Sequence, residues 1–359
     1  MILGVRRLIA AAPALLAFAG CGSSTPAPRV VRVSPARAWL GLDYNSRPGV
    51  GGLADFVDHG IVFDRDGNIQ PPAGALAAPG SKLGRGLQTS IGADMVPDIE
   101  VDPPADPPLC GAGRGCLPTG QRAVTAYVSG FVATAQSVLR AFPSKRLLFE
   151  PIDEPWNLGS PGARPGYRAA ALYAAVLAQL LPAITKARNP TIPLDDVYVP
   201  ATGRLEDSTS WVADLYEAEP CLRTGAATCG PIQGWSVHAY GLPGSRGAGI
   251  ESVPGLRSGM ASGADNIVIS EVGFCAADVG DGDGCDQNTP DVVGTAEQTA
   301  AWLTQTLREA LPMRRAGWLK ALLVWARSSG GWSMQLPGGG LTPQGRALES
   351  FGDGYAGTS

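Results

Sequence analysis

The sequence predicts one (β/α)8 barrel. Apolar runs of strand length alternate with helical segments along most of the chain, the pattern of a parallel sheet with crossover helices. The strand candidates are continuous apolar runs rather than strict alternators, as expected of strands covered on both faces. Two of them end in a glutamate. About eight such units, with chemically capable residues at strand C-termini, favour a barrel over a doubly wound sheet.

Residues 38–45 read as the first strand and 52–59 as a short helix. The second strand falls between 50 and 90, near Gly60-Ile61-Val62-Phe63 or near Gly86-Leu87-Gln88. Residues 94–101 form a strand running into a proline-rich loop. Residues 119–142 have helical period and stop at Pro143, which cannot continue a helix. Residues 146–152 are a strand, and 167–188 a long helix rich in Ala and Leu. A strand at 196–200, a helix at 208–219 and strands at 234–238 and 266–270 follow. A helix at 295–311, a strand at 319–325 and a helix at 343–351 complete the set.

The chain has 359 residues, 45% of them hydrophobic, enough for a large core. A net charge of −4 and the absence of a long basic run argue against nucleic acid as a partner. Residues 1–21 read as an export leader: Arg6-Arg7 precede an apolar stretch from Leu8 to Phe18 that is too short to span a bilayer. The leader ends in Phe18-Ala19-Gly20-Cys21, which resembles a bacterial lipobox with Phe in place of the usual Leu. That resemblance implies lipidation at Cys21 and an exported, membrane-anchored lipoprotein on the cell-surface or periplasmic face; the plainer alternative is an ordinary secretory signal. Residues 22–36 read as a flexible tether, 37–352 as the catalytic barrel and 353–359 as a tail. Six cysteines remain after Cys21, in close pairs: Cys110 and Cys116, Cys221 and Cys229, Cys275 and Cys285. In an exported chain an even count suggests disulfides. Fifteen pairings are possible, and short loops favour the adjacent ones. A zinc site is a weak alternative, with no CxxC spacing and two histidines in the chain.

The segment Phe149-Glu150-Pro151-Ile152-Asp153-Glu154-Pro155-Trp156-Asn157 carries the clearest chemistry. It follows an apolar run and presents a glutamate just before proline. The strand at 266–270 leads directly to Glu271. The interval between Glu154 and Glu271 holds about three barrel units of ~30 residues plus insertions, which places them on the fourth and seventh strands, facing each other across the mouth. Paired carboxyls of this kind are what glycosidic bond cleavage needs.

With these residues in view, the chain resembles clan A glycoside hydrolases, and within them the family 39 type of β-xylosidases and α-iduronidases. The family's Phe-Glu-x-Trp-Asn-Glu-Pro motif aligns with residues 149–155, and its Thr/Ser-Glu with Ser270-Glu271. A Gly-Pro-Ala strand is matched at Val199-Pro200-Ala201, and a His-x-Tyr pattern at His238-Ala239-Tyr240. The resemblance covers roughly residues 38–351. It implies Glu154 as acid/base, Glu271 as nucleophile, Tyr240 as an orienting phenol, His238 beside them, and Trp325 as a floor for the sugar. Trp156 is a second stacking candidate, and Asp43 and Asn45 at the end of the first strand are candidates for sugar hydroxyls. Each has a structural alternative: His238 as a satisfied core histidine, the tryptophans as core or rim. Glu150 reads as a buried acid paired with an arginine.

Two departures stand out. Asp153 replaces the asparagine before the acid/base; the resemblance makes this a substrate-binding position, where the amide can donate a hydrogen bond to the sugar 2-oxygen, whereas an ionised carboxylate can only accept one, so the sugar contact changes. The charge of Asp153 also tends to raise the pKa of Glu154. Ile152 replaces the family's Trp. Other signals are set aside. Asp278 to Asp286 has the spaced acids of a calcium loop but no closing Glu, and reads as a polar loop between Cys275 and Cys285. Gly111 to Gly115 does not open a helix after a strand, so it is no dinucleotide fingerprint, and no Gly-x-Ser-x-Gly elbow occurs. The reading assigns no cofactor and no metal. It expects a retaining hydrolase of an extracellular oligo- or polysaccharide. The alternatives are a silent barrel that binds glycans at the cell surface and a transglycosylase using the same two acids.

Overall fold

In the computed structural model eight parallel strands form one sheet in the order β4-β3-β2-β1-β10-β7-β6-β5. They are β1 (Leu40–Asp43), β2 (Ile61–Ile69), β3 (Val96–Val101), β4 (Leu148–Pro151), β5 (Tyr198–Pro200), β6 (Gly234–His238), β7 (Ile267–Val272) and β10 (Leu319–Trp325). A parallel bridge between Phe149 and Val197 joins the two ends of that order and closes the barrel. The structure describes residues 39–43, 53–69, 82–103, 117–157, 167–201, 205–226, 228–244, 249–279, 285, 292–325, 330–336 and 339–356. All fall within one compact unit, Val33–Ser359. The leader, Cys21, the tether, Asn45, Cys110, Cys116 and most of the acidic loop after Val279 lie outside the described residues.

The helices are α1 (Leu53–Asp58), α2 (Lys82–Gly92), α3 (Gly120–Ala141), α4 (Tyr167–Lys186), α5 (Leu205–Ala218), α6 (Pro220–Thr224), α7 (Val253–Gly259), α8 (Ala296–Arg315) and α9 (Pro343–Ala356). Three differences from the sequence reading have local causes. The second strand is the Ile61 run; Gly86-Leu87-Gln88 lies in α2, a helix whose two internal glycines weaken its propensity signal. Helix α9 continues to Ala356, so the expected tail begins later than residue 353. A two-stranded pair, β8 (Cys275–Ala276) with β9 (Val293–Gly294), sits after β7 and was too short to carry a pattern. Helix α8 opens with a reciprocal capping box between Thr295 and Gln298. Helix α4 is long and apolar enough to cross a membrane by length and composition. Its apolar residues, among them Tyr173, Leu177, Leu180 and Ile184, are instead buried in the barrel core.

Strand alternation divides the core into two layers. Leu40 and Leu42, Ile99, Phe149, Trp235 and Val237, Ile267 and Ile269, and Leu322 and Val324 pack with the helices. The residues between them face the lumen. At its base the lumen is filled by Phe63, Leu148, Tyr198, Val268, Ala321 and Leu323. Gly41 makes that filling possible: a Cβ there would stand 2.6 Å from Phe63 Cβ and 2.8 Å from Leu323 Cγ. One step towards the strand C-termini, the same inward positions turn polar: Asp43, Arg65, Glu100, Glu150, Ser236 and His238, all buried. The fold thus carries an apolar plug below and a polar chamber above.

Aromatic side chains from the helices fix the strand ends around that chamber. Tyr127 of α3 donates to the Val101 carbonyl at 2.7 Å, and Tyr173 of α4 to the Pro151 carbonyl at 2.7 Å. Trp211 of α5 donates to the Pro200 carbonyl at 3.2 Å. Each satisfies a buried carbonyl at the point where its strand stops.

Candidate active site

Two backbone irregularities bring the predicted glutamates into the chamber. The first is in β7. His238 pairs with Glu271 while the preceding Val237 pairs with Ile269, and Leu322 and Val324 pair with Ile269 and Val272. Strand β7 therefore carries one extra residue, Ser270, against both neighbours. Such a bulge re-aims the next side chain; here it delivers Glu271, which strict alternation would have turned towards the helices. The second lies after β4. Ile152 and Glu154 have φ of 68° and 40°, a left-handed backbone that is costly for Ile above all. The turn is held by Ile152 N–H on the Val101 carbonyl at 3.2 Å and by Asp153 N–H on Asp102 Oδ1 at 2.8 Å. It swings Asp153 and Glu154 over the barrel mouth.

Arg65 sits at the centre, 1% exposed. Its Nη1 donates to Asp43 Oδ2 at 3.1 Å and to Glu271 Oε1; its Nη2 donates to Asp153 Oδ1 at 3.0 Å and Glu150 Oε2 at 3.3 Å and pairs with Glu100. One cation cannot neutralise five carboxylates, so burial decides which stay charged. Burial lifts Glu150 to about 8, with the charge of Asp98 adding to it and Arg65 opposing. Burial likewise lifts Asp43 to about 7 against the pull of Arg65, and raises Glu100 well above its ordinary value. Asp102 is raised to about 7 by burial and the neighbouring Asp153, and Asp98 to about 6 by burial. Burial works against the charge of Arg65, but Glu100, Glu150, Asp153 and Asp43 override it and hold the guanidinium fully charged.

His238, at the end of β6, links the two candidate acids. Nδ1 lies 3.1 Å from Glu154 Oε1 and 3.4 Å from Glu271 Oε2. The two carboxylate oxygens are therefore separated by no more than the sum of those distances. Arg65 has donors only, so its contact with Nε2 at 3.3 Å assigns the imidazole proton to Nδ1, towards the glutamates. Tyr240 donates to Glu271 Oε2 at 2.6 Å. Burial pushes its phenol well above the ordinary range, which keeps the donor protonated.

Trp156 packs edge-on against His238 at 5.6 Å and against Trp211 at 5.9 Å. Trp325 ends β10 at an inward position, half-buried, in register with Asp43. Asp43 itself is 2% exposed and faces Arg65; the expected contact with sugar hydroxyls gives way to support of the guanidinium, because burial leaves it no route to a bound ligand. Glu150 is fully buried on Arg65, the structural pairing expected of it. Cys221–Cys229 and Cys275–Cys285 are bonded as adjacent pairs.

Arg65, Glu100, Asp98 and Asp102 were not singled out from the sequence, nor was Trp332, which packs on Tyr240 at 5.9 Å. A signal existed for some. Charged residues at every second position of an apolar strand, as in Val96-Pro97-Asp98-Ile99-Glu100-Val101, mark an inward polar face. Asp153, His238 and Glu271 offer three ligand atoms within 4.8 Å of one another. Arg65 contacts all three, and its fixed positive charge opposes a metal cation there. Glu219, Cys221 and Cys229 form a second such group, but both sulfurs are used in the disulfide.

No protein-family model and no curated protein matches the sequence. Solved structures do match the fold. One chain from a structural study of two fungal β-1,4-galactanases is similar with a TM-score of 0.58 and 13% identity, over 87% of this chain and 98% of that one. A GH5-4 broad-specificity endoglucanase from Clostridium longisporum gives 0.54 and 12%, over 90% and 98%. A glycoside hydrolase family 30 subfamily 8 xylanase from Clostridium acetobutylicum gives 0.54 and 10%, over 87% and 70%. At these identities the shared property is the (β/α)8 barrel.

Proposed function

We propose that the protein is a retaining glycoside hydrolase acting on an extracellular oligo- or polysaccharide. The observation that carries the reading is the bridge of His238 Nδ1 to Glu154 and Glu271 within one barrel mouth. Glu271 Oε attacks the anomeric carbon while the glycosidic C–O bond breaks, and Glu154 gives its proton to the leaving oxygen. Water then gives a proton to Glu154 and its oxygen to the anomeric carbon, which releases Glu271. Arg65 pairs with Glu271 and Tyr240 donates to it, and the two contacts hold its carboxyl in orientation. The raised acids around Arg65 keep that cation from being swamped by negative charge. Barrels of similar fold described as an endoglucanase, galactanases and a xylanase support a carbohydrate substrate. The finer likeness to the family 39 type stands on the sequence motifs. Export is supported by the two disulfides, and anchoring through lipidated Cys21 follows from the lipobox-like leader.

The test is a panel of aryl glycosides with wild type, Glu271→Gln and Glu154→Gln. Wild type should turn over at least one member with retained anomeric configuration. Glu271→Gln should abolish turnover, and Glu154→Gln should lower it by about 10²–10⁴-fold, least for the best leaving groups. Sugar binding without turnover by wild type would identify the silent glycan-binding barrel instead. Transfer to an added acceptor sugar in preference to water would identify a transglycosylase.

A further inference from the structure

The proposal concerns Asp153, and it rests on the hydrolase reading. An Asp153 carboxylate oxygen lies within 4.8 Å of ligand atoms of both Glu271 and His238. A sugar whose anomeric carbon meets Glu271 therefore brings the groups around that carbon within reach of Asp153. These are the ring oxygen and the glycosidic oxygen, which have no hydrogen to offer, and the substituent on C2, which does. Asp153 Oδ1 is engaged by Arg65 at 3.0 Å, while Oδ2 has no hydrogen-bond partner among the described residues. The side chain is 23% exposed, against 9% for Glu271 and 18% for Glu154. It is thus more open than either candidate catalytic acid, with an acceptor oxygen left for a ligand.

A carboxylate accepts hydrogen bonds and never donates one. It opposes an oxygen lone pair, accepts one bond from a hydroxyl, and accepts a charge-assisted bond from an ammonium, roughly twice as strong. The surroundings reinforce the last choice. Among the described residues, Asp153 and Glu271 share Arg65 with three further acids, so one cation does not fully satisfy the carboxylates that a ligand would meet. We propose that the site takes a 2-amino-2-deoxy sugar with a free, unacetylated amine, and that Asp153 is the residue that selects it.

The experiment compares 4-nitrophenyl glycosides bearing a 2-amino, 2-hydroxy or 2-acetamido group, as both anomers of the gluco and galacto series, with wild type and Asp153→Asn. Wild type should show kcat/KM about ten- to a hundredfold higher for the amine than for its 2-hydroxy counterpart, the range of a charged hydrogen bond. Asp153→Asn should erase that preference, losing about ten- to a hundredfold more kcat/KM on the amine than on its 2-hydroxy counterpart. Preference of wild type for the hydroxy or acetamido glycoside overturns the proposal. So does an equal loss on all substrates in Asp153→Asn, which would make Asp153 only a support for Arg65. If wild type turns over nothing, the hydrolase reading fails by itself, and titration with a glucosamine tetramer decides the recognition. Binding at least tenfold tighter to wild type than to Asp153→Asn upholds it, and equal or absent binding overturns it.

Discussion

Replacement of Arg65 by lysine tests the electrostatic account of the chamber most severely. The guanidinium serves five carboxyl groups, with Asp43 and Glu271 on Nη1 and Glu100, Glu150 and Asp153 on Nη2. An ammonium has three donors, so at least two acids lose their partner. A hydrogen bond to a charged group contributes ~1.5–3 kcal/mol, so the loss of two costs about 3–6 kcal/mol of stability. The cost depends on pH in a fixed direction. Acids left without the cation hold their protons more tightly, so folded Arg65→Lys binds more protons than folded wild type. Stability then falls more steeply as pH rises, and the deficit is greater at pH 8 than at pH 5. Urea unfolding at both pH values, with aryl-glycoside turnover alongside, measures this. A deficit below about 1 kcal/mol, or one that is larger at pH 5, would refute the central role of Arg65.

Three further outcomes follow from the same geometry. The protonated forms of Glu150, Asp43, Asp102 and Asp98 favour the fold, since burial raises them to about 8, 7, 7 and 6. That contribution is whole below the ordinary carboxyl range, about 4, and declines as pH rises until it is gone above about 8. Calorimetry should therefore give a higher Tm at pH 5 than at pH 8, and the reverse order would contradict the assignment. Tyr240→Phe removes the 2.6 Å bond to Glu271 and should lower kcat about ten- to a hundredfold with little change in stability; unchanged kinetics would mean the phenol does not orient the nucleophile. Gly41→Ala places a Cβ against Phe63 and Leu323 in the lumen and should cost about 1–3 kcal/mol in denaturant unfolding. An unaltered midpoint would show that the barrel base can relax.

Much of this was legible in the sequence, for physical reasons. Strands 234–238 and 319–325 match β6 and β10 because continuous apolar runs between turn residues leave few alternatives. Glu154 and Glu271 stood out because acids at the ends of such runs need a reason to be there, His238 and Tyr240 because they match the family's His-x-Tyr pattern, and the structure gathers all four. Arg65 did not stand out. It lies in the stretch where the second strand was hardest to place, and its five partners come from β1, β3, β4, the turn after β4, and β7. No local pattern encodes a contact made by four strands.

The deepest discrepancy concerns which glutamate faces inward. On period-two alternation Leu148 and Glu150 share the lumen face, as do Val268 and Ser270, while Glu271 belongs with the helix-facing Ile267 and Ile269. Read by that rule alone, Glu150 would be the chamber acid and Glu271 a misplaced one. The extra residue at Ser270 reverses the second assignment, and the left-handed turn at Ile152 and Glu154 carries the fourth-strand acid past Glu150 to the rim. Glu150 does reach the lumen, but one layer lower and fully buried, where it serves Arg65. The backbone departs from ideal strand geometry on both acid-bearing strands where the candidate acids emerge. The strain at Ile152 and Glu154 then has a purpose, since it converts a barrel wall into two facing carboxylates.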